Sequence, residues 1–249
     1  MKLSIKTLLA GGAFALASAS SQAALLTVNF SDASNAEAQF LSYLVGPSAT
    51  ETFDGLGGNQ DAGGSTHQSK WENHSKVFET AVGTFELVAG GQTLDNPHSD
   101  DLMIESRRSG EFGRQVLASS DSDFWLDSND AELVTWTIGA PLTGSFNAFG
   151  FYISDATDRG ATLTLSFENG TTTDFLIPAF KSNGNVGYVT VKSDTNILGG
   201  VLTFINSHGD DGWGIDDVTV GTVPEPSTLL LMGLGLLGLG AARRRNAKN

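Results

Sequence analysis

The chain has no cysteine among its 249 residues. That excludes disulfide staples and thiol nucleophiles at the outset. Basic residues are scarce too: 14 Lys and Arg stand against 28 Asp and Glu, for a net charge of −14. A surface of that sign repels nucleic acid and anionic lipid, so no nucleic-acid partner is expected, while divalent cations or basic partners are favoured. The four histidines, His67, His74, His98 and His208, are scattered. None forms the His-Glu-x-x-His pair of a zinc hydrolase, and no Gly-x-Ser-x-Gly elbow occurs. Helical periodicity is almost missing.

Apolar runs are confined to the ends. Met1–Lys6 carries Lys2 and Lys6, Thr7–Ala17 is apolar and small, and "SASSQAA" follows. This is the layout of a secretory signal peptide over residues 1–23, cleaved between Ala23 and Ala24, with Ala17-Ser18-Ala19 as a second possible site. The other run, Leu229–Ala242, sits in "VPEPSTLLLMGLGLLGLGAARRRNAKN", residues 223–249. Fourteen residues make about 21 Å of helix, short of a hydrocarbon core of about 30 Å. Such a span lodges transiently as a short transmembrane helix rather than as a lasting anchor. Arg243, Arg244 and Arg245 hold its far end in the cytoplasm and leave Glu225 outside. Gly233-Leu234-Gly235-Leu236-Leu237-Gly238 matches a dinucleotide-binding fingerprint, but it follows Pro-Glu-Pro instead of a strand, so the match is a coincidence.

Residues 24–222 remain, enough for one domain with a sizeable core. Six of the bases and one of the acids fall in the terminal segments, which leaves this body eight bases against 27 acids, a charge near −19. Its dominant pattern is period two. In "ATLTLSFENGTTTDFLI", Leu163, Leu165 and Phe167 face one way and Thr162, Thr164, Ser166 and Glu168 the other; Asn169-Gly170 predicts a type I′ hairpin turn, with Phe175 and Ile177 on the return strand. "ALLTVNF", "GTFELVA", "DLMIES", "ELVTWTI", "FGFYIS", "GYVTVK", "GGVLTFIN" and "GIDDVTV" read the same way. The expected fold is all-β, a two-sheet antiparallel sandwich. One helix is predicted in "SNAEAQFLSYLVG", with Ser34 and Glu37 at capping-box spacing, Phe40, Leu41, Leu44 and Val45 at helical intervals, and Gly46-Pro47 as the stop. Its expected task is to cover an edge or open end of the sandwich.

Acidic clusters are the candidates for chemistry. Asp121, Asp123, Asp127 and Asp130 form one; Asp210, Asp211, Asp216 and Asp217 form another. Clustered carboxylates and loop carbonyls suit calcium, which takes six to eight oxygens. Paired carboxylates also serve glycoside hydrolysis. Strict alternation on the last strand sets Asp216 on the face of Val218 and Val220, where it must either coordinate a metal or be satisfied by backbone N–H groups. Both options stand. In "ETFDGL", Glu51 and Asp54 flank Phe53 as its counterpart near the start. Of the tryptophans, Trp136 is expected in the core, while Trp71 and Trp125, in polar surroundings, are candidates for stacking on sugar rings.

Val223-Pro224-Glu225-Pro226-Ser227-Thr228, the Leu/Gly-rich span and the three arginines closely resemble a PEP-CTERM sorting signal. That resemblance implies a Gram-negative bacterium that makes extracellular polysaccharide (a biofilm matrix), and processing by an exosortase at or near Pro-Glu-Pro. The body, through "ETFDGL", "FNAFGFYISD" and "GWGIDDVTV", is similar to jelly-roll domains of PEP-CTERM proteins and of some carbohydrate-binding modules. In such modules acids of the first and last strands often hold a structural calcium, which implies Glu51, Asp54 and Asp216 as ligands. The expected function is that of an exported, non-catalytic sandwich sorted to the cell surface or polysaccharide matrix. A calcium-stabilised carbohydrate-binding module is the alternative, and an enzyme acting on polysaccharide the least favoured.

Overall fold

The structure, a computed structural model, describes residues 24–57, 73–90, 101–106, 124–128, 131–138, 144–155, 160–178, 184–204 and 212–224. In chain order its strands are β1 (Ala24–Asn29), β2 (Ala49–Glu51), β3 (Asn73–Ser75), β4 (Val77–Thr80), β5 (Gly83–Gly90), β6 (Leu102–Ser106) and β7 (Phe124–Ser128). Then come β8 (Ala131–Thr137), β9 (Ala148–Ser154), β10 (Ala161–Phe167), β11 (Thr172–Ile177), β12 (Val186–Ser193), β13 (Ile197–Phe204) and β14 (Trp213–Gly221). Helix α1 spans Ala33–Tyr43. The predicted signal peptide and all residues after Pro224 lie outside the described residues. Among those described, no helix is long and apolar enough to cross a membrane.

The strands form two sheets, and every pairing between them is antiparallel. The larger has eight strands in the order β1-β12-β9-β14-β7-β6-β3, with β2 also on β14; the smaller has six, β11-β10-β13-β8-β5-β4. This is the expected jelly-roll-like sandwich. The period-two residues of both sheets meet between them. Trp136 stacks on Phe85 with ring centroids 5.6 Å apart and meets Phe149 edge-on at 4.9 Å. Its indole N–H donates to the Val82 carbonyl at 3.2 Å, so the buried ring leaves no donor unmet. Leu163, Leu165 and Phe167 of β10 join the same core.

The hairpin between β10 and β11 forms as expected, by a different turn. Gly170 has φ of +79°, but Asn169 is not left-handed, so the turn is not type I′. The Gly170 N–H donates to the Phe167 carbonyl and the Phe167 N–H to the Thr171 carbonyl, giving a three-residue loop closed by a left-handed glycine. Asn169 contributes through its side chain instead, whose oxygen accepts from the Thr171 N–H at 3.0 Å and hydroxyl at 2.8 Å.

Helix α1 also differs in detail. Its cap is Asp32, whose side chain accepts from the Asn35 N–H, rather than Ser34. Glu37 does not reach back to the cap; it accepts the Tyr152 hydroxyl proton at 2.6 Å. The helix packs on β12 and β9, over the outer face of the larger sheet instead of an edge. Phe40 is buried there and Leu44 partly so, while Leu41 and Val45 remain exposed. Gly150 of β9 is required by this layer, because a Cβ there would lie 2.5 Å from the Tyr188 hydroxyl oxygen.

Candidate functional site

The three implied calcium ligands do not converge. Glu51 is buried at the end of β2, and both its oxygens take backbone amides: Phe53 N–H at 2.7 Å and Ala81 N–H at 2.8 Å. These bonds hold Phe53 in the left-handed region, φ +57°, with its ring fully buried. A non-glycine residue there is strained, and the carboxylate offsets that strain. Asp54 accepts from the Phe124 N–H at 3.1 Å and the Thr52 hydroxyl at 3.0 Å. Glu51 and Asp54 are therefore near one another, each tying a loop to a strand.

Asp216 lies on the other side of the sheet. The β14–β9 register slips between Asp216 and Thr219, and Asp217 has φ of +47°. This bulge sits where β14 changes partner, from β7 at Trp213–Ile215 to β2 at Val218–Val220. One extra residue inverts the alternation. Trp213 and Ile215 before it, and Val218 and Val220 after it, all enter the core. Asp216 instead pairs with Tyr152 on the outer face, and the expectation that it shares a face with Val218 and Val220 is corrected. It is buried, and one oxygen accepts from the Asp217 N–H at 2.8 Å. Among the described residues, no group of three His, Asp or Glu is arranged to hold a metal ion.

Trp125 is likewise not a sugar platform. It is 1 % exposed, in the middle of β7, with its indole N–H on Asp127 at 3.1 Å. The polar residues around it suggest a loop, but they line the covered outer face of a central strand. Trp71 lies outside the described residues, as do Asp121, Asp123, Asp130, Asp210 and Asp211. Burial is also the first cause that raises the ionisation of Tyr152 and Tyr188, both in this layer, well above the ordinary tyrosine range; for each, the Glu37 carboxylate adds to it.

An open groove of about 680 Å³ runs between α1, β1 and β12. Tyr43, 51 % exposed, stands at the helix end, and the Lys192 ammonium lies 3.5 Å from its ring centroid. Burial lowers the Lys192 pKa. Asn29, Gln39 and Asn185 bring amides to the lining, and Leu25 and Phe30 bring apolar surface. Lys192 is the one charged side chain among the described lining residues, and no carboxylate or histidine is among them. Little in the sequence points to this site: its two halves lie about 150 positions apart and share no motif. An exposed tyrosine beside a predicted helical stripe is the available signal.

The described residues end at Pro224. Val223 is buried against the layer of Phe40, Ala148, Tyr152 and Tyr188, and Pro224 is exposed. The Val223 N–H donates to the Asn147 side-chain oxygen at 2.8 Å, and the Asn147 side-chain amide donates to the Val223 carbonyl at 3.1 Å. Glu225, Pro226 and Arg243–Arg245 lie beyond the described residues.

Residues 222–245 match the PEP-CTERM protein-sorting motif. The chain thus carries that motif directly after its last strand, which implies export, processing by an exosortase, and a cell-surface or extracellular destination. No curated protein matches the chain. Among solved structures, a glycoside hydrolase family 43 arabinoxylan arabinofuranohydrolase from Bacillus subtilis, in complex with cellotetraose, is similar at 11 % identity and a TM-score of 0.31. The alignment covers 49 % of this chain and 24 % of that one, so the chain spans about a quarter of the hydrolase's length. The K2 cleaved adhesin domain of Lys-gingipain is similar at 13 % identity and a TM-score of 0.34, over 70 % of this chain and 97 % of that one. Likenesses this slight bear on neither activity nor ligand.

Proposed function

We propose that the chain is an exported, non-catalytic surface protein whose sandwich holds a hydroxyl-rich extracellular polysaccharide in the groove between α1, β1 and β12. The observation that carries this reading is the groove's lining: one half-exposed tyrosine, three side-chain amides and one ammonium, with no acid among the described lining residues. Amides pair with sugar hydroxyls in both directions, and an aromatic face takes the apolar side of a pyranose. The described lining holds no carboxylate or imidazole, so it lacks the carboxylate pair that glycoside hydrolysis uses, and binding is the chemistry we assign to it. A body charge near −19 disfavours a polyanion, and a neutral glycan is the proposed ligand.

Export through a signal peptide over residues 1–23, and delivery by an exosortase of a Gram-negative bacterium, complete the proposal. The body needs no calcium in this reading, because Glu51 and Asp54 already have backbone donors and Asp216 is on the opposite face. The test is a glycan array followed by calorimetry with the processed protein, in the wild type and in Tyr43→Ala, an exposed position. Binding of a neutral glycan that weakens about tenfold in Tyr43→Ala supports the groove. Absence of any glycan binding would sink the proposal. In a parallel calcium titration the melting temperature should stay within about 1 °C; a rise of several degrees would revive Glu51, Asp54 and Asp216 as ligands.

A further inference from the structure

The sorting motif at residues 222–245 implies processing by an exosortase. The fold holds the upstream side of Pro224-Glu225-Pro226 tightly. Gly221 ends β14 and its carbonyl accepts from the Asn147 N–H at 3.2 Å. The Thr222 carbonyl accepts from the Val45 N–H at 2.8 Å, just past α1, and the Thr222 hydroxyl donates to the Ser145 carbonyl at 3.0 Å. Val223 has both backbone groups on the Asn147 carboxamide and its side chain in the outer aromatic layer. Asn147 is itself 7 % exposed, fixed by its carbonyl on the Ser193 N–H at 2.8 Å. Pro224 is the first exposed residue, and it has no N–H to offer. No spacer separates the fold from the motif.

We infer that Asn147 is a gate on sorting: its carboxamide withholds Val223 from the exosortase, so that processing requires Thr222 and Val223 to leave the folded body. An enzyme acting on an extended chain reads the backbone N–H and C=O groups flanking its target, as strand-adding partners do. Here the upstream pair is already satisfied within the substrate. Processing is then proportional to the fraction of molecules in which this end is open, as cleavage of folded chains follows local opening. This inference rests on the sorting motif and not on the glycan proposal.

The experiment is pulse-chase of the full chain in cells that process it, following precursor and product. Asn147→Ala removes the two side-chain bonds and should speed processing about five- to tenfold. Four Gly/Ser residues inserted between Val223 and Pro224 leave the clamp whole and give the enzyme a free upstream segment. That variant should be accelerated as much, with the body's melting temperature unchanged, and combining the two changes should add nothing more. Should Asn147→Ala fail to fold, the insertion decides alone. Unchanged or slower processing of the insertion variant overturns the gate, as does absence of processing in every variant. Glycan binding by the insertion variant, read separately, stays at the wild-type value whatever the outcome here.

Discussion

Strands β9 and β10 are both seven residues long, yet all seven residues of β9 are buried while in β10 buried and half-buried residues alternate. They belong to different sheets. The smaller sheet has one face in the core and the other toward solvent, where Thr162, Thr164 and Ser166 point. Apart from β1 at its edge, which is open on the outside, the larger sheet is covered on both faces along its central strands β9, β14, β7 and β6. Its inner face is apolar, with Phe149, Phe151 and Ile153 of β9 beside Val189 and Val191 of β12. Its outer face carries Tyr152, Tyr188 and Trp125 together with buried Glu105, Asp127 and Asp216. Two burials of similar completeness thus differ in kind. Between the sheets, stability comes from apolar area removed from water. On the outer face, each buried polar group must also find a partner, and the cost of failing to do so is large.

The strongest test of that difference is Trp136→Ala in the inner core. Loss of a ring that touches Phe85 and Phe149 should lower unfolding free energy by about 3–5 kcal/mol, read from urea denaturation. Next comes Tyr152→Phe in the outer layer, which keeps the ring and deletes the bond to the Glu37 carboxylate. A hydrogen bond to a charged group contributes about 1.5–3 kcal/mol, so this change of one oxygen should be felt. If Tyr152→Phe were neutral, α1 would be held by apolar contact alone and the two layers would be alike in kind.

The same contrast explains what is legible in advance. The smaller sheet is legible because solvent on one face enforces alternation, as in Leu163, Leu165 and Phe167. Trp136 and the tail at 223–249 are legible for equally local reasons. In the larger sheet the strands β1, β6, β9, β12 and β14 are legible as well, but the role of their outer face is not, since a face built from Tyr, Trp and Asp looks like loop. Trp125 in "SDFWLDSND" is misread on that account. Asp216 fails through the bulge at Asp217, which arises from the change of partner strand and leaves no trace in "GIDDVTV". The groove and the Asn147 clamp depend on residues far apart in the chain; Asn147 and Val223 are 76 positions apart.

A smaller effect is expected on the open face of the smaller sheet. Thr164 and Asp174 pair across β10 and β11, hydroxyl to carboxylate at 2.7 Å, in solvent. Asp174→Ala should shift unfolding free energy by no more than about 0.5 kcal/mol, because water replaces the lost bond. A loss as large as that for Tyr152→Phe would show that exposure, as the distinguishing variable, is wrong.

The smallest effect at neutral pH belongs to Tyr188→Phe, and it is the most discriminating. The Tyr188 hydroxyl is buried and makes no hydrogen bond among the described residues, so its removal should leave stability at pH 7 unchanged or slightly raised. Alkaline pH is different. Burial and the Glu37 charge keep Tyr188 protonated in the folded protein far above the value of 10.0 at which an unfolded tyrosine titrates. Above pH 10 the unfolded chain therefore binds fewer protons than the folded one, and stability falls with rising pH by up to about 1.4 kcal/mol per unit for each such residue. Tyr152, raised by the same burial, contributes a second proton. Lys192 acts in the opposite sense, since its pKa is lowered in the fold, but its side chain is half-exposed and the effect is correspondingly weak. The wild type should lose stability between roughly pH 10 and 11.5 with a slope approaching two protons, and Tyr188→Phe with a slope approaching one. Denaturation midpoints across that range measure both slopes. Identical slopes would mean that the layer beneath α1 admits water, and that only the inner face of the larger sheet is a true core.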